Sequence, residues 1–233
     1  MLRLSLWICF LFVVFTEIKL LEMNCKFIGY DLKCLEVILN PGEQFFAERG
    51  SLIYLEKGIE REMMVLQNGV WGMLKRGVSG ESMILVVYKN LSRDPKKMMV
   101  AGKGGLLSVA LNDMDGGILC RKGYYVASSQ QVDVDFKISL GSLFSGLGLV
   151  LQKITGSGTV FLDSIGSPTR IDLQYGQTIQ VDEGSLICTN LGLEGRIQSS
   201  MSASNLFSGE GFSLVEITGP GIVYINSVNL RTP

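Results

Sequence analysis

LFSGLGLVLQKITGSGTVFL (residues 143–162) aligns without a gap to LFSGEGFSLVEITGPGIVYI (residues 206–225), and eleven of the twenty pairs are identical. That degree of identity inside one chain marks an internal repeat. In both copies apolar β-branched and aromatic residues flank a Gly-x-Gly turn, the pattern of strand, tight turn, strand. A second repeated element pairs GEQFFAERGSLIY (42–54) with GQTIQVDEGSLIC (176–188), and GILCRKGYYVA (117–127) is a weaker third copy. The first element has a weaker earlier copy at Ser79–Leu85. These matches predict a cassette present three times, over about 35–90, 105–165 and 170–230.

Outside the repeats the apolar period is two. Val132, Val134, Phe136, Ile138 and Leu140 alternate with Asp133, Asp135, Lys137 and Ser139, so one face is buried and the other wet. Denser runs such as Ile84–Tyr88 and Leu106–Leu111 read as strands covered on both faces. Helical spacing is confined to the charged stretch Ile59–Leu66. The predicted fold is all-β: three pseudo-repeated antiparallel β cassettes stacked as a sandwich or prism, in one domain over 23–233, after a short apolar N-terminal extension.

Glycine fits this reading. It supplies 28 of 233 residues, about 12% against roughly 7% on average, with only five prolines and no collagen period. Gly50, Gly123 and Gly184 sit between apolar runs where a turn with φ > 0 is expected; Gly156, Gly158, Gly219 and Gly221 form the second turn. Glu48 and Asp182 stand where a side chain can accept from turn amides.

Residues 4–15 (LSLWICFLFVVF) are apolar but shorter than the roughly 20 residues a spanning helix needs. Three readings of 1–22 stand: a signal-like segment, a short membrane anchor that recruits Leu20 and Leu21, or upstream sequence before a start at Met23. The expected localisation is cytoplasmic, with membrane association through 1–22 as the alternative. Cys9, Cys25, Cys34, Cys120 and Cys188 form no C-x-x-C pair, and Cys120 and Cys188 lie in apolar runs, as reduced structural thiols do.

Chemistry is harder to place. The chain has no histidine, which removes the commonest general base and metal ligand. Asp113-Met-Asp115-Gly-Gly begins like a calcium loop, but Tyr124 stands where the twelfth-position Glu should be. Ala101-Gly-Lys-Gly-Gly105 lacks the phosphate-loop spacing, and no S-x-x-K motif offers a serine nucleophile its base. Asp133 and Asp135 read as the wet side of a sheet. No catalytic residue, cofactor or metal is assigned. Net charge is −1 and the basic pairs Lys96-Lys97 and Arg121-Lys122 stand apart from Trp7 and Trp71, so nucleic acid is not an expected partner.

The series PGEQFFAERGSLIY, SGES, GILCRKGYYVASS, GSGTVFLDSIG, VDEGSLICTN and GEGFSLVEITGPGIVYI, in that order, resembles a family of bacterial proteins. These are related to the mitochondrial-biogenesis factor whose loss alters inheritance of mitochondria. The resemblance spans about 23–230 and implies the tryptophan-RNA-binding-attenuator-like fold, an often trimeric assembly and no established enzyme activity. Two functions are therefore carried forward. One is a non-catalytic β scaffold that self-assembles and acts through protein partners, at a membrane if 1–22 anchors it. The other is a small-ligand module with a pocket between cassettes.

Overall fold

A computed structural model of the chain describes residues 24–30, 32–65, 83–140, 149–200 and 214–228. The first half of the repeated LFSG element, at 143–148 and 206–213, lies outside them, as do residues 1–23, Trp71 and the SGES segment. The described residues hold nineteen strands and two short 3-10 turns, Leu111–Met114 and Leu191–Leu193. None of their helices is long and apolar enough to cross a membrane.

After β1 (Asn24–Ile28), the strands fall into three sets of six. The first set is β2 (Cys34–Leu39), β3 (Gln44–Glu48), β4 (Leu52–Leu55), β5 (Ile59–Val65), β6 (Ile84–Asn90) and β7 (Lys96–Ala101). The second is β8 (Gly105–Ala110), β9 (Gly117–Arg121), β10 (Tyr125–Ser128), β11 (Val132–Leu140), β12 (Leu149–Gly156) and β13 (Thr159–Ser164). The third is β14 (Thr169–Leu173), β15 (Thr178–Asp182), β16 (Leu186–Asn190), β17 (Ile197–Ser200), β18 (Leu214–Thr218) and β19 (Gly221–Ile225).

Two six-stranded sheets run β5-β6-β3-β10-β13-β8 and β11-β12-β9-β16-β19-β14. Each takes the fourth, fifth and second strands of one cassette, then the third, sixth and first strands of the next. A four-stranded sheet, β1-β2-β7-β4, and a three-stranded sheet, β15-β18-β17, stand at the two ends of this series. The pairings are antiparallel.

Side chains alternate between faces, so each six-stranded sheet serves two cores. Leu35, Val37, Met98 and Val100 of the four-stranded sheet pack on Phe45, Tyr88 and Phe161. Leu85, Leu107, Tyr125 and Leu162 meet Ile118, Cys120, Val134 and Ile154 from the second six-stranded sheet. Leu119, on the other face of β9, joins Leu151, Leu186 and Val223 against Val181, Val215 and Ile217 of the three-stranded sheet.

Two sequence expectations change here. Ile59–Val65 is not helical but forms β5, an edge of its sheet among the described residues, paired with β6 from Ile59↔Asn90 to Val65↔Ile84; Leu66 lies outside the described residues. Glu60, Arg61 and Glu62 of β5 are exposed, as charged residues on an edge strand commonly are. The first cassette also runs past residue 90, because β7 pairs with both β2 and β4. Its last turn has no Gly-x-Gly. Instead Asn90 organises a longer loop, donating to Leu39 O and Asp94 O at 2.8 Å and accepting from Ser92 N at 2.9 Å.

Candidate functional site

The second and third strands of each cassette are joined by a four-residue turn. Ser51 N donates to Glu48 O and Tyr124 N to Arg121 O, both at 3.2 Å. Gly50 (φ 99°) and Gly123 (φ 81°) occupy the third position, where a type II turn needs φ > 0. Gly184 departs from the expectation: its φ lies outside the left-handed region. The turn still closes, Ser185 N to Asp182 O at 2.9 Å, and the Asp182 carboxylate accepts from Gly184 N at 2.8 Å. A side chain thus stabilises there what a glycine dihedral sets in the other two. Gly50→Val should cost about 1–3 kcal/mol, and Gly184→Val about 0.5 kcal/mol or less, compared by urea midpoints.

In the other turn, Gly156 (φ 140°) and Gly158 (φ 84°) have positive φ, whereas Gly219 and Gly221 do not. Space explains the latter pair. A Cβ on Gly219 would come within 2.4 Å of Gln174 O, and one on Gly221 within 2.5 Å of the Leu193 side chain.

A repeat with no counterpart in residue type stands at the C-terminal end of the third strand of each cassette. Lys97 N donates to Glu56 Oε2 at 3.0 Å, Thr159 N to Ser129 Oγ at 2.9 Å, and Ile222 N to Asn190 Oδ1 at 2.8 Å. Three different side chains hold the same backbone amide near the start of the sixth strand. Asn190 also donates to Asp115 Oδ2 in the preceding cassette.

The seams between cassettes are equally regular. Where β3 meets β10, Ala47 faces Ala127; where β9 meets β16, Cys120 faces Cys188. By the turn alignment these are the same two repeat positions. Both thiols are buried, and burial pushes Cys120 up to about 12 and Cys188 well above its ordinary value. Beside the seam, Arg121 Nη1 donates to Glu183 O at 3.1 Å and Gly184 O at 2.9 Å, with its guanidinium 5.6 Å from the Tyr124 ring centroid.

The family of mitochondrial biogenesis proteins termed AIM24 matches residues 25–228. The chain belongs to the AIM24 family. Its fold is similar to the crystal structure of a Streptococcus pyogenes protein, with a TM-score of 0.64 and 21% identity over 90% of this chain and 95% of that one. Among curated proteins none matches it.

In this AIM24 protein the residues that suggested chemistry are placed as follows. Asp133 and Asp135 are exposed on β11, alternating with buried Val132 and Val134. Asp115, at φ 57°, ends a 3-10 turn and holds Asn190. Among the described residues no three His, Cys, Asp or Glu side chains gather as a metal site. The glycine-rich stretch Ala101–Gly105 does bind an anion, but an internal one: Lys103 N and Gly104 N donate to the Asp163 carboxylate at 3.1 and 3.0 Å. Glu48 lies in the same neighbourhood. Burial raises its carboxyl, Lys103 opposes the rise and Asp163 adds to it. Sequence reasoning missed the Asp163 contact because its partners lie some sixty residues away, with no local signal.

Proposed function

We propose that this AIM24 protein is a non-catalytic β scaffold that self-assembles into a closed homo-oligomer, a trimer, and presents surface to protein partners. One observation carries the reading: the series of sheets ends in two short ones, whose β4 and β15 edges have no strand beside them among the described residues. Unpaired edges invite association with another chain, and closed oligomers are the common way to cover them. Exposed apolar side chains, among them Tyr30, Leu32, Ile53 and Tyr175, supply further contact surface. A chain without histidine, whose singled-out carboxylates are exposed or engaged in holding loops, has little to offer catalysis.

If the protein attaches to a membrane, the apolar residues 1–22 are the segment that would do so. The test is multi-angle light scattering on the full chain. A trimer of 25.5 kDa chains gives about 77 kDa. A monodisperse single-chain peak at micromolar concentration sinks the scaffold reading.

A further inference from the structure

Among the described residues, the two end sheets carry the strand order of the two halves of a six-stranded sheet. In each six-stranded sheet, the second strand of one cassette lies beside the third strand of the next: β3 beside β10, β9 beside β16. The three-stranded sheet ends at β15, the second strand of the last cassette. The four-stranded sheet ends at β4, the third strand of the first. We infer that β15 of one copy pairs antiparallel with β4 of the next copy, Val181 opposite Tyr54, completing across the subunit boundary a third sheet with the same order of six cassette strands, which β1 extends to seven. This rests on the self-assembly reading and names its interface.

Three observations carry the pairing. The first is register. Ala47 faces Ala127 and Cys120 faces Cys188, and their equivalents at the open edges are Val181 and Tyr54. The second is burial. Val126 and Ile187, at one position of the third strand, are 3% and 0% exposed, whereas Ile53 at that position in β4 is 60% exposed. A neighbour on β4 would cover it as its counterparts are covered. The third is charge. The last residue of the second strand and the following cassette's turn residue have opposite signs at both internal seams, Glu48 with Lys122 and Arg121 with Glu183. The open edges preserve this, with Asp182 on one and exposed Arg49 at the other. Strand addition supplies main-chain hydrogen bonds, and the apolar and charged positions select a copy of the same chain. The contact is head-to-tail, so it builds a ring when its rotation closes.

The test is disulfide trapping in the full chain. Directly opposed residues of an antiparallel pair have Cα atoms roughly 4.5–5.5 Å apart, within disulfide reach. Oxidised Tyr54→Cys/Val181→Cys protein should give dithiothreitol-sensitive bands at two and three chain masses on a denaturing gel. The unmodified chain, either single variant and the off-register pair Tyr54→Cys/Thr178→Cys should give at least about tenfold less, because the wrong register moves the sulfurs beyond reach. Ile53→Lys should lower the light-scattering mass to one chain, 25.5 kDa, with an unchanged β-type circular dichroism spectrum. If the protein is an oligomer but the in-register pair links no better than the single variants, or links only within one chain, the pairing is wrong and self-assembly stands. A monomeric full chain overturns both.

Discussion

Replacing Phe161 by Ala should lower the folding free energy by about 3–5 kcal/mol. Phe161 is buried on β13, its ring centroid 6.1 Å from that of Phe45 and 6.3 Å, edge-on, from that of Phe27. It belongs to the second cassette, yet it packs in the core built mainly by the first. Its neighbours Val160 and Leu162 point into the next core. Backbone movement to fill the hole is opposed from both faces of the sheet, so little of the cavity can collapse. Phe161→Leu, which keeps more volume, should cost less than half as much. Urea or thermal unfolding measures both, and an unchanged midpoint for Phe161→Ala would show that the site is not a core.

The second large effect is at Asn190. Removing its amide strands Ile222 N and takes the donor from Asp115, both in part-buried surroundings. The expected loss for Asn190→Ala is about 2–3 kcal/mol. Ser129→Ala and Glu56→Ala delete the same amide contact in the other cassettes, but Ser129 is half-buried and Glu56 exposed, so water can replace them. The predicted order of destabilisation is Asn190, then Ser129, then Glu56, read from urea midpoints. The reverse order would mean that burial does not set the worth of this cap.

The all-β class was legible because alternation is local: Val132 and Val134 against Asp133 and Asp135 need no knowledge of distant partners. Gly50 and Gly123 were legible for the same reason, since a turn is decided within four residues. Gly184 misled because an identical Gly-Ser-Leu sits beside Asp182, whose carboxylate offers the turn amide another partner. What stayed hidden is non-local or indifferent to residue type. Glu56, Ser129 and Asn190 share only an acceptor oxygen, and no pattern in the chain matches them. Asp163 filling the Ala101–Gly105 loop, and β7 completing the first cassette, depend on strand order. So do the open edges.

The sharing of sheets between cassettes also orders events at the ribosome. When β3 has emerged, the strand that will cover its edge, β10, is still to be synthesised, and β9 waits likewise for β16. The leading part of the nascent chain therefore carries a raw strand edge through much of translation. Such an edge is a template for pairing with neighbouring nascent chains, above all those of the same polysome.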